Sequence, residues 1–73
     1  MSLELVYDEV VRVSTGGNYS ERFNDAVMYL DDLVEALKSK DISFNVDNIC
    51  AMISIDFEVN TNEVKSHYLQ WIG

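Results

Sequence analysis

Five carboxylates crowd one short stretch of this 73-residue chain: Glu21, Asp25, Asp31, Asp32 and Glu35. Carboxylates do acid–base work when two converge, hold hard cations when several surround a point, and dock basic surfaces when they line a face. Spacing decides among these. Glu21–Asp25 and Asp31–Glu35 stand four residues apart, so on a helix they spread along one side and do not converge. Each like-charge pair costs a few tenths of a kcal/mol, roughly 0.2–0.5. Met28 sits among them, an adaptable apolar side chain ringed by acids. The expected chemistry is docking of a basic protein surface by Glu21, Asp25, Met28, Asp31, Asp32 and Glu35. The plainer alternative is a solvated acidic face with one incidental methionine.

Other chemistry-bearing residues lead less far. Asp41, Ser43, Asn45 and Asp47 match the opening of a calcium-binding EF-hand loop, but Val46 stands where a glycine is needed and Met52 where a bidentate glutamate is needed. His67 is the only histidine, and no serine, cysteine or acid is spaced to partner it. Gly16-Gly17 lacks the lysine and further glycines of a phosphate cradle. Cys50, the one cysteine, reads as an inert thiol. Tyr68 and Trp71 have no basic groove beside them and read as core, not as platforms for bases. No catalytic residue, cofactor site or metal site is expected.

Composition narrows the class. Thirteen acids against five bases leave a formal charge of −8. That charge repels phosphate backbones and anionic membranes and favours basic protein partners. Neither a signal peptide nor a membrane-length apolar run is seen, so a cytoplasmic location is expected. So short a chain makes one domain with little stability in reserve, and a homodimer would be unsurprising.

The elements that must position these residues follow from periodicity. Residues 53–60 alternate apolar and polar, placing Ile53, Ile55, Phe57 and Val59 on one strand face. Residues 42–46 alternate too, and Asp47-Asn48 between the runs suits a two-residue turn. A hairpin closing there pairs Val46 with Ile49, Phe44 with Ala51 and Ile42 with Ile53, all on one face. A helical stripe of Val46, Ile49, Cys50, Ile53 and Phe57 competes, but strands Ile55 on the far side. Residues 3–13 are read as a third strand, with Glu9 forcing a bulge; Leu3, Val6, Tyr7, Val10 and Val13 or Ser14 also fit a helix capped by Ser2 and stopped by Gly16. A helix from Asn18 or Ser20 to about Ser39 carries Tyr19, Phe23, Val27, Leu30, Val34 and Leu37 on a broad apolar side. A last helix, capped by Asn60, buries Val64, Tyr68, Trp71 and Ile72.

The expected fold is therefore an α+β two-layer sandwich, β-α-β-β-α, with a three-stranded sheet and two helices on one face. Its open sheet face would expose Val6, Val10, Cys50 and Met52, a surface for self-association. In length, acidity and element order this resembles the RecA-modulating DinI family, whose acids lie in the C-terminal helix; that helix holds only Glu63 here. Acyl carrier proteins share the length and acidity, but they are all-helical and carry an Asp-Ser-Leu attachment site that this chain lacks. The function expected is a non-enzymatic interaction or regulatory module, such as an inhibitor or a mimic of DNA charge. A homo-oligomeric building block is the alternative.

Overall fold

The computed structural model describes residues 2–13 and 16–72. The expected loop residues Ser14 and Thr15, and the side chain of Ile72, lie outside the described residues. Four helices make up the order: α1 (Leu3–Val10), α2 (Tyr19–Ser39), α3 (Val46–Phe57) and α4 (Thr61–Ile72). Among the described residues there is no strand, so the α+β sandwich, its hairpin and its three-stranded sheet are corrected to an all-helical bundle.

Caps explain much of this outcome. Every helix opens on a side-chain oxygen that accepts a backbone N–H three residues on: Ser2 from Leu5 at 3.4 Å, Asn18 from Glu21 at 2.9 Å, Asn45 from Asn48 at 3.2 Å and Asn60 from Glu63 at 3.1 Å. Such a cap stabilises a helix by about 1 kcal/mol. The decisive one is Asn45, read from sequence as a residue inside a strand. With Asn45 as cap, Asp47 and Asn48 become the first turn of α3, with Asp47 where the helix dipole favours an acid.

The competing stripe then prevails. Ile49, Cys50 and Ile53 are fully buried and Phe57 nearly so, while Ile55 is 73% exposed. Ser54, on the polar side of the strand pattern, is buried instead. Its hydroxyl donates to the Cys50 carbonyl at 2.6 Å, a bond to the preceding turn that satisfies a polar group inside a helix. The helix stops at Glu58, whose φ of +55° is left-handed. Val59 N–H then closes onto the Ser54 carbonyl at 3.0 Å and Glu58 N–H onto that of Ile55 at 3.3 Å.

Residues 3–10 are likewise helical, not a strand. Val6 and Tyr7 are buried, Leu3 and Val10 pack beside them, and Glu9 is simply exposed, so no bulge is needed. An eight-residue helix is too short to persist alone and depends on its packing. The Tyr7 hydroxyl supplies a tether, donating to the Asp56 carboxylate and lying 3.5 Å from the Met52 carbonyl on α3.

The long helix α2 is as expected, and the other three helices all pack on it. Ala26, Leu30, Leu33, Val34 and Leu37 are fully buried along its inner side. Its first turns form a junction. Arg22 donates from Nε to the Phe57 carbonyl at 3.1 Å and from Nη1 to the Gly17 carbonyl at 2.9 Å. A guanidinium there meets the negative end of the α3 dipole. The Tyr19 hydroxyl accepts from Asn60 N–H at 2.9 Å and donates to Glu63 at 2.8 Å. These contacts fix direction: α3 runs against α2, and α4 runs with it. The molecule is a slab of 34 × 27 × 15 Å. Among the described residues, no helix is long and apolar enough to cross a membrane.

Candidate functional site

Helical geometry sorts the acids of α2 into two groups. Glu21, Asp25, Met28, Asp32 and Glu35 follow one another at steps of four, three, four and three, a single row along a helix. Glu21, Asp32 and Glu35 are exposed, Asp25 is half-buried, and Met28 is 50% exposed. Asp31 belongs elsewhere. It continues the row Phe23–Val27–Asp31, on the flank of α2 that turns toward α4.

The surroundings of Asp31 are unlike those of its neighbours. Its Oδ1 is buried and has no hydrogen-bond partner among the described residues. Burial raises its pKa above the ordinary carboxylate value; His67 of α4 pulls it down, while Asp32 and Glu35 push it further up. His67 is held edge-on to Phe23, ring centroids 6.2 Å apart. Beside it lies an open groove of about 400 Å³, lined by Phe23 of α2 and by Asn62, Glu63, Ser66, His67 and Gln70 of α4. Ser66 and His67 are consecutive on a helix, so their side chains diverge by about 100° and do not make a nucleophile–base pair.

Three of the chain's five cations, Arg12, Arg22 and Lys65, are engaged with groups other than Glu21, Asp32 and Glu35. Arg22 is committed to the two carbonyls of the helix junction. Arg12 donates to the carbonyls of Asp8 and Val11. Lys65 pairs with Asp47, linking α4 to α3.

Other residues singled out from sequence have structural occupations. Val6 and Cys50 are fully buried, and Val10 and Met52 half-buried, on two different helices; the open sheet face they were to form does not exist. Burial also raises the Cys50 thiol pKa, which makes it a poor nucleophile. Asp41 takes a left-handed φ of +56° to end α2, and Asn45 caps α3, so the calcium-like spacing is consumed by helix punctuation. Among the described residues no group of three His, Cys, Asp or Glu could hold a metal ion. Tyr68 is core, 4% exposed, whereas Trp71 beside it is 44% exposed.

Three features escaped the sequence reading: the electrostatic pull of His67 on Asp31, the Tyr7–Asp56 tether and the Arg22 junction. Only the first left a trace, because Asp31 shares a helical row with Phe23 and so had to face the partner that Phe23 faces. The topological likeness to the DinI family disappears with the sheet. Helicity no longer separates this chain from acyl carrier proteins, but the missing Asp-Ser-Leu site still does. Comparison with family models, with curated proteins and with solved structures finds no match to this chain.

Proposed function

We propose that the chain is a non-enzymatic interaction module that docks a basic protein surface through the outward side of α2. The observation that carries this reading is the row Glu21–Asp25–Met28–Asp32–Glu35. Its charged ends and its central methionine stay exposed although three helices pack on α2. Fourteen residues of rise give the row a length of about 21 Å. A formal charge of −8 steers a cationic partner toward it. Met28 offers an adaptable apolar centre, and the acids around it form a polar rim. Crowding like charges along one helix side opposes folding, and a cationic partner relieves that repulsion. An inhibitor, or a mimic of DNA charge, is the kind of activity such a row serves.

The test is capture of a partner from native lysate at low and high salt, with the wild type and with Asp32→Lys/Glu35→Lys. Both positions are exposed, so the double variant leaves the core intact. The reading requires a basic partner that is lost in high salt and lost by the variant. A partner held equally well by both proteins would refute it.

A further inference from the structure

We propose that the groove between α2 and α4 is a receptor for a guanidinium group, the side chain of an arginine on a basic protein partner. The groove is open, holds about 400 Å³ and is lined by Phe23 of α2 and by Asn62, Glu63, Ser66, His67 and Gln70 of α4. Its charge is one-sided. Glu63 supplies a carboxylate, Ser66 a hydroxyl oxygen, and Asn62 and Gln70 two amide oxygens. Among the described residues no lysine or arginine lines it. Lys65, next to Ser66 on α4, is drawn across to Asp47 on α3. A formal charge of −8 further enriches cations at the surface and depletes anions. The groove therefore suits a cationic hydrogen-bond donor and disfavours a phosphate or a carboxylate.

Aromatic rings narrow the cation to a guanidinium. Four residues form a ladder: Arg22 lies over the Tyr19 ring at 5.8 Å, Tyr19 stacks on Phe23 with centroids 6.3 Å apart, and Phe23 meets His67 edge-on at 6.2 Å. One end of the ladder already holds a guanidinium, that of Arg22, whose N–H groups donate to the Gly17 and Phe57 carbonyls. The other end, Phe23 and His67, lines the groove. A guanidinium lies flat on a ring and spreads five N–H donors in its plane, so it can reach several rim oxygens at once. An ammonium is a compact point charge without that flat face. Glu63 is tied to the same ladder, since its Oε2 accepts from the Tyr19 hydroxyl at 2.8 Å. A carboxylate held in place loses less freedom when a cation arrives. Phe23 stands on a different flank of α2 from the row Glu21–Glu35, so the groove is a second contact. It rests on the docking reading above only for the basic nature of the partner.

The experiment is an amide NMR titration of the full chain at pH 8 and low salt with Nα-acetyl-arginine methylamide, beside its lysine and citrulline analogues. Citrulline keeps the shape of arginine and loses the charge. The arginine probe is expected to bind with a dissociation constant on the order of millimolar and to shift Phe23 and residues 62–70 saturably. The lysine probe should bind more weakly and the citrulline probe scarcely at all. Glu63→Gln is expected to weaken the arginine probe about three- to five-fold, and Phe23→Leu about two- to five-fold. Asp32→Asn/Glu35→Gln should leave it nearly unchanged. Glu63 is exposed, so its variant reads the groove even if Phe23→Leu folds poorly. Equal binding of the lysine or citrulline probe, shifts confined to the row Glu21–Glu35, absence of saturation, or an affinity untouched by Glu63→Gln would each overturn the guanidinium site. No partner is present in this titration, so its failure leaves the acidic row of α2 standing on its own capture test.

Discussion

Substitution at Ile55 tests the helical fold most directly, because the two ways of reading residues 53–60 place this side chain in opposite environments. In a hairpin with its apolar face covered, Ile55 is core. In α3 it is 73% exposed. Fully burying an isoleucine is worth roughly 1.5–3 kcal/mol. With about a quarter of its surface covered, Ile55→Lys forfeits only about 0.5 kcal/mol of that. Lysine returns a comparable amount, since it is the better helix former and would stand in the last turn of α3, where the dipole favours a cation. The net change should lie within about 0.5 kcal/mol of zero. Ile53→Ala, two residues away and fully buried, should cost about 2–4 kcal/mol. In a domain of this size 1 kcal/mol moves the melting temperature by about 4–8 °C. Thermal and urea unfolding followed by far-ultraviolet circular dichroism would separate the two variants clearly. A loss of more than about 2 kcal/mol in Ile55→Lys would refute α3 as described and reinstate the strand.

Further outcomes follow from the same structure. Glu58→Gly should stabilise the protein by up to about 1 kcal/mol in urea melts, because a non-glycine residue there holds a φ of +55°. Tyr7→Phe removes the hydroxyl that ties α1 to Asp56 and should cost about 1 kcal/mol, with amide exchange in α1 accelerating before that in α2. Tyr7's pKa is pushed well above the ordinary phenol value, first by burial and then by Asp56. The unfolded chain therefore loses this proton first, and the stability that the protonated phenol contributes is fully present below about pH 10 and declines above it. Asp31→Asn should stabilise the protein by about 1 kcal/mol near pH 7.5, where a half-buried carboxylate with one oxygen lacking a donor is replaced by a neutral amide. Because the pKa of Asp31 is raised on folding, its cost is absent below the ordinary aspartate range and develops as pH rises through the folded value. The gain from Asp31→Asn should accordingly vanish near pH 3, and chemical unfolding at the two pH values would check it.

Much of this protein was determined by local sequence. The long helix needed only its periodicity from Tyr19 to Leu37 and its cap at Asn18, both strong enough to survive any tertiary context. The last helix was equally legible from Asn60 and Glu63, whereas the acidic face was legible only in part, because charge grouped Asp31 with Glu21, Asp25, Asp32 and Glu35 although helical spacing sets it on another flank. Residues 3–10 and 46–57 were different. Both are rich in valine, isoleucine and aromatic residues, carry apolar patterns that fit either period, and are short enough for the choice to rest on partners. Tertiary packing decided it: α2 offers a broad apolar side that helices can cover, Asn45 begins a helix, and Ser54 is satisfied by its own helix while buried. Only the packed bundle could set His67 edge-on to Phe23, leave one carboxylate oxygen without a donor, and send Arg22 to the end of α3. Those relations join residues 35 or more positions apart, and no local pattern encodes them.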